Sequence, residues 1–107
     1  MNTDTITAIA TALSDSGIGI VRISGPEAVE KADLLYKSKN GKFHLKDAES
    51  HTIHYGYIYD GEELIDEVLV MIMHAPRTFT GEDTVEIDCH GGVYAMQRVL
   101  DTVLKNG

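Results

Sequence analysis

The sequence has little cysteine, little proline and no tryptophan. It contains one Cys, two Pro and no Trp in 107 residues. A single cysteine, Cys89, cannot close an intrachain disulfide and supplies no CxxC pair for a metal knuckle. The composition therefore excludes both the disulfide-stapled and the zinc-knuckle classes of small protein.

Basic residues are also scarce. Nine Lys and Arg stand against 17 Asp and Glu, which gives a formal net charge of −8 at pH 7. A surface of this charge repels phosphate backbones and anionic membrane surfaces. We therefore expect the chain alone to bind neither nucleic acid nor membrane.

Long hydrophobic runs are missing. The longest, residues 68–73, is far too short to span a bilayer. The first ten residues, MNTDTITAIA, have no basic segment and no apolar core, so we expect no signal peptide and a cytoplasmic location. A hydrophobic share of 43% is sufficient for one modest core, so residues 1–107 are expected to form a single domain.

The apolar pattern alternates between two-residue and helical periods. It predicts strands over residues 5–11, 18–23, 51–59, 64–74 and 84–89. It predicts one helix after Pro26 that ends near Gly41, and a second helix that begins at Gly91-Gly92. No structure is predicted for residues 43–50, and "VLVMIM" suits a central strand covered on both faces. The expected fold class is α/β (α+β), a mixed sheet of about five strands with two to three helices.

One cluster, GEDTVEIDCHGG at residues 81–92, crowds possible ligands around the cysteine. Strand alternation places Cys89 on the apolar face and Glu86, Asp88 and His90 on the other. A Cys–His catalytic pair is therefore not expected, and no HxxxH or HExxH spacing indicates a metal site. The polar face is either solvated or functional: a carboxylate could accept two N–H bonds from a 2-amino heterocycle, and the free N–H groups at Gly91-Gly92 could bind an anion.

A second stretch, GIGIVRISG at residues 17–25, looks like the start of a dinucleotide fingerprint but fails as one. Arg22 occupies the third glycine position, and a strand follows instead of a helix. The chain also lacks a GxxxxGK[ST] phosphate loop. On this strand Ile18, Ile20 and Arg22 share a face, so Arg22 either needs a partner or ligand or extends to water.

Several stretches together resemble one family. They are DTITAIATALSDSGIGIVRISGPEA (residues 4–28), HTIHYGYI (51–58) and IDEVLVMIMHAPRTFTGEDTVEIDCHGG (65–92). Together they resemble the N-terminal domain of the bacterial tRNA-modification GTPase family MnmE, also called TrmE. The turn at residues 12–17, ALSDSG, departs from the family's usual Pro/Gly/Arg-rich version.

The resemblance implies a specific cofactor site. It implies a fold like the tetrahydrofolate-binding domains of aminomethyltransferase-type proteins, with homodimerisation through this domain. It implies that Arg22 and Glu86 contact a tetrahydrofolate derivative, either 5-formyl- or 5,10-methylene-tetrahydrofolate, with no catalytic residue and no metal ligand in this chain. Glu86 would accept the hydrogen bonds of the pterin's amino-pyrimidine edge.

The resemblance also implies a larger assembly. The family's longer protein adds a helical domain and a Ras-like GTPase that uses GTP, Mg and K. With the FAD-dependent partner MnmG (GidA) it modifies the wobble uridine of certain tRNAs, and tRNA is bound only by the full complex. This chain stops before those domains, so we expect no catalysis from it alone. The alternatives are a purely structural oligomerisation module with an incomplete folate pocket and a small metal- or thiol-dependent enzyme.

Overall fold

A single antiparallel sheet with helices on one side forms the framework of the protein. The computed structural model describes residues 5–9, 19–75 and 82–106. Six strands pair in the order β1-β2-β6-β5-β4-β3, and every pairing among them is antiparallel. The elements in chain order are β1 (Ile6–Ile9), β2 (Gly19–Ser24), α1 (Ala28–Leu35), β3 (Tyr36–Ser38), a short 3-10 helix (Leu45–Asp47), β4 (Thr52–Asp60), β5 (Glu63–Met73), β6 (Thr84–Cys89) and α2 (Gly92–Asn106).

The expected α/β class is confirmed, with two corrections. The sheet is antiparallel throughout the described strands, not mixed, because tight connections such as the turn at Gly61 (φ 62°) reverse the chain between neighbours. The sheet also has a sixth strand, β3, that the sequence did not predict. The turn at residues 12–17 and the ends of the first two predicted strands, residues 10, 11 and 18, lie outside the described residues.

The first helix is shorter than predicted because its last residues form β3. The helix ends at Leu35, and Tyr36 turns into extended backbone paired with Ile58. The Tyr36 hydroxyl donates to the carbonyl of Tyr55 at 2.7 Å, which fixes this short strand to the sheet edge. Gly41 is therefore not a helix cap: it occupies a turn after β3 with φ of 74° and donates its N–H to the Ser38 carbonyl.

Alternation along the strands builds the core on one face of the sheet, named here the helix face. Its fully buried side chains include Val21, Val70 and Ile87, and they pack with Met96 and Val99 of α2. Burial of this apolar surface is the main stabilising term of the fold. None of the described helices is long and apolar enough to cross a membrane.

The sheet and α2 approach each other closely at Gly19. A Cβ built there would lie 2.1 Å from Met96 Sδ and 2.8 Å from Met96 Cγ. A side chain at this position would therefore force the Met96 side chain out of its packed position, which explains why the strand begins with a residue that has none.

The opposite face, named here the second face, carries no helix among the described elements. Leu69 and Met71 of β5 are partly buried there, whereas their neighbours Val68 and Ile72 are fully buried on the helix face. The prediction that helices or other layers cover both faces of β5 therefore holds for the helix face only, as far as the described elements go. The second face is where the candidate site lies.

Candidate functional site

A row of cross-strand neighbours on the second face contains both residues that the sequence singled out. Register pairs Arg22 with Ala8 on one side and with Glu86 on the other, and Glu86 in turn with Met71. Met71 pairs with Ile53 of β4. The row thus places one cation and one anion side by side between apolar flanks.

Arg22 and Glu86 form an ion pair. Arg22 Nη2 donates to Glu86 Oε1 at 2.6 Å and Nε donates to the same oxygen at 3.0 Å. The Glu86 side chain is 8% exposed and that of Arg22 is 35% exposed. Because burial has removed most of the hydration of the carboxylate, Glu86 depends on Arg22 to compensate its charge. The sequence left open whether Arg22 has a partner or extends to water. In the structure it has a protein partner, and that partner is Glu86, the other predicted site residue.

Asp88 lies two residues farther along β6 and also faces the second face. Its cross-strand neighbours are Ile20 and Leu69. One of its carboxylate oxygens, Oδ1, is buried and has no hydrogen-bond partner among the described residues. Burial raises the pKa of Asp88, the negative charge of Glu86 raises it further, and His90 opposes the shift.

Cys89 is a core residue, as the alternation predicted. It is fully buried on the helix face, and its thiol donates to the carbonyl of Ile87 at 3.7 Å. Burial, with smaller contributions from Asp66 and Asp88, raises the pKa of the thiol to about 12. A thiol that stays protonated is a poor nucleophile and a poor metal ligand.

In the turn that leads into α2, the carboxylate of Asp66 binds two backbone N–H groups. Asp66 Oδ2 accepts the backbone N–H of His90 at 2.8 Å and that of Gly91 at 3.3 Å. The His90 ring is exposed and its Nδ1 lies 3.0 Å from the carbonyl of Glu67. These two N–H groups, of His90 and Gly91, are therefore occupied within the chain, which removes support for a ligand anion on them. Sequence reasoning missed Asp66 because no local spacing links it to a turn 24 residues later.

A groove at the β3 end of the sheet is a separate cavity. It encloses about 680 Å³ and is lined by Tyr36, Ser38, Lys39, Asn40, Phe43, Ile53, His54 and Tyr55. The rings of Phe43 and His54 stack at 4.7 Å, and burial lowers the pKa of His54, which favours the neutral ring. Neither Arg22 nor Glu86 lines this groove. The part of the second face that holds Arg22, Glu86 and Asp88 is the better candidate, because it combines a partly buried ion pair with an unpartnered acceptor oxygen.

Metal ligation finds no support in the part of the chain that the structure describes. No three His, Cys, Asp or Glu side chains are grouped there as a metal ion would require. The described side chains of the second face offer hydrogen bonding and charge pairing, suited to holding a planar ligand with N–H donors.

Comparison with known proteins gives one consistent family. Residues 5–107 match the family described as "GTP-binding protein TrmE N-terminus". The chain is 56% identical over 107 residues to a tRNA modification GTPase MnmE of Lachnoclostridium phytofermentans and 52% identical over 107 residues to that of Listeria innocua. It is 56% identical over 106 residues, 97% of the chain, to that of Geobacillus thermodenitrificans. The first two alignments cover 100% of this chain, and all three cover 23% of the relative. The chain therefore belongs to the family of TrmE (MnmE) N-terminal domains.

Proposed function

We propose that this chain is the folate-binding and dimerisation domain of a GTPase that modifies the wobble uridine of tRNA. The observation that supports it most is the Arg22–Glu86 ion pair. The family resemblance assigns a ligand contact to each of these residues separately, and in the fold they are cross-strand partners on the face that no described helix covers.

The geometry suits an amino-pyrimidine edge. Arg22 Nε and Nη2 both donate to Oε1 of Glu86, and no described residue donates to Oε2. The arginine thus orients the carboxylate and leaves it with acceptor capacity for two adjacent N–H groups of a pterin ring. The neighbouring Met71 offers an apolar surface for the ring itself.

Calorimetry with 5-formyltetrahydrofolate tests this assignment. We expect the wild-type chain to bind and Glu86→Gln to bind about 10–100-fold more weakly, because a hydrogen bond to a charged acceptor contributes about 1.5–3 kcal/mol. Glu30→Gln is the matched control: it removes the same charge from an exposed position on α1.

Two results would count against the assignment. Equal binding by wild type and Glu86→Gln would show that Glu86 does not contact the pterin. Absence of binding by both the chain and the full-length protein that carries it would overturn folate binding altogether and favour the purely structural module.

Dimerisation is supported by apolar side chains exposed on the second face. Ile53 is 61% exposed and Tyr55 40% exposed, beside the partly buried Leu69 and Met71. Such a patch on a sheet face is typical of a protein interface. In sedimentation velocity we expect a dimer for wild type and a monomer for Ile53→Glu. Leu34→Glu, which introduces the same charge at a 72% exposed position on α1, should stay dimeric.

We infer the tRNA-modifying activity of a longer protein from the family and not from the residues of this chain. The relatives are tRNA modification GTPases, and this chain spans 23% of their length. GTP hydrolysis, association with an FAD-dependent MnmG-type partner and tRNA contact would belong to the rest of such a protein. The net charge of −8 agrees with tRNA contact being made elsewhere. A strain that carries the full-length gene with Glu86→Gln tests this link. Its level of wobble-uridine modification shows whether the Arg22–Glu86 site is needed for the reaction.

A further inference from the structure

Asp88 carries a carboxyl group to which the proposed function assigns no role. It projects from β6 on the same face as Glu86, and its cross-strand neighbours, Ile20 and Leu69, have no polar side-chain atoms. Oδ1 is buried and receives no hydrogen bond from the described residues. Buried polar atoms in native proteins almost always have a partner, so this one requires an explanation.

The surroundings oppose the charged form of Asp88. Burial in an apolar environment raises its pKa, and the nearby charge of Glu86 adds to that effect. A fold that only needed a strand residue here would gain stability from an apolar side chain. The presence here of a carboxyl group with an unpaired buried oxygen agrees with a partner that binds from outside the chain.

The spacing connects Asp88 to the candidate site. Residues i and i+2 of a strand project from the same face ~6.7 Å apart, which lets one fused-ring ligand reach both side chains. We propose that Asp88 is a second carboxylate contact for the ligand of the Arg22–Glu86 site, accepting an N–H of the ring system through Oδ1. This proposal rests on the proposed folate site, and it extends that site along β6 from one carboxylate to two.

The test uses two variants and two measurements. Asp88→Leu removes the unpaired oxygen and suits the neighbouring Ile20 and Leu69, and Asp88→Asn preserves the shape. We expect Asp88→Leu to raise the Tm of the ligand-free protein by about 5 °C and to weaken 5-formyltetrahydrofolate binding about 10-fold. A residue with a merely structural role would not show this opposition between stability and affinity. Asp88→Asn should weaken binding while leaving Tm within a few degrees of wild type.

The control is Glu67→Gln, which removes the same charge from an exposed position on β5 near Asp88. It should bind folate like wild type. The proposal is overturned if Asp88→Leu and Asp88→Asn both bind like wild type while Glu86→Gln loses binding. If wild type itself does not bind, the folate assignment fails and this proposal fails with it.

A third outcome concerns a second copy of the chain. If sedimentation shows that Asp88→Leu changes the dimer dissociation constant while folate affinity stays at the wild-type value, Oδ1 pairs across a protein interface. That result would also overturn the ligand contact.

Discussion

Removing Arg22 should destabilise the protein because it leaves Glu86 buried without its counter-charge. The Glu86 side chain is 8% exposed and receives two hydrogen bonds from Arg22, at 2.6 and 3.0 Å. Breaking a fully buried ion pair costs about 3–5 kcal/mol, and since Arg22 is 35% exposed, water can partly replace it. We expect Arg22→Met to lower the free energy of unfolding by ~2 kcal/mol, measured by urea denaturation, and Tm by ~8–16 °C.

Two comparisons separate burial of the carboxylate from loss of an arginine. In Arg22→Met/Glu86→Leu the stranded charge is gone, so most of the loss should be recovered. Arg98→Met is the matched control: Arg98 is 34% exposed and pairs at 2.9 Å with Glu63, whose side chain is 61% exposed, so little change is expected. Equal effects of Arg22→Met and Arg98→Met, or simple additivity in the double variant, would refute the reasoning.

Three further predictions concern the framework around the site. Gly19→Ala should destabilise the fold by about 1–3 kcal/mol, because its Cβ would lie 2.1 Å from Met96 Sδ; a wild-type urea midpoint would contradict this packing. Cys89, with a pKa of about 12 against a reference of 9.0, should react with a thiol reagent at pH 8 only after unfolding. Because the folded state holds a proton that the unfolded state releases, Cys89 should make stability fall as pH rises above about 9, and Cys89→Ala should lessen that fall. Asp66→Ala should cost ~1 kcal/mol through loss of the acceptor before α2, and an unchanged unfolding free energy would show that the cap contributes nothing.

Strand alternation correctly predicted which side chains of β6 share a face. In residues 84–89 a two-residue period separates Cys89 from Glu86 and Asp88, and the structure confirms that separation. The period is a local property of the backbone, so it needs no knowledge of the rest of the fold. The α/β class and the five predicted strands follow from the same local rule.

Contacts between distant strands could not be predicted in this way. Arg22 and Glu86 are 64 positions apart and meet only because β2 pairs with β6 in one register. Asp66 reaches the turn before α2 across a gap of 24 positions in the chain. Register depends on the whole sheet, so a sequence pattern gives the faces of each strand but not the partner of each residue.

The strand β3 was missed for a different reason. Residues 28–35 have helical spacing, and Tyr36 follows without a Gly or Pro to mark the end of the helix. The helix ends there because the backbone at Tyr36 pairs with β4 instead of continuing the helix. The hydrogen bond from the Tyr36 hydroxyl to the Tyr55 carbonyl stabilises that pairing. Tertiary contacts thus override local helix propensity at this position.

Binding of folate on the second face is the central claim, and methionine methyl NMR tests it most directly. Met71 lies on that face as the cross-strand partner of Glu86, whereas Met96 belongs to α2 and is 1% exposed where it packs against the helix face. With methyl-13C-methionine protein, 5-formyltetrahydrofolate should shift the Met71 signal and leave Met96 nearly unmoved, and Glu86→Gln should reduce the Met71 shift at equal ligand concentration. A shift confined to Met96, or unchanged spectra at saturating ligand, would contradict the account.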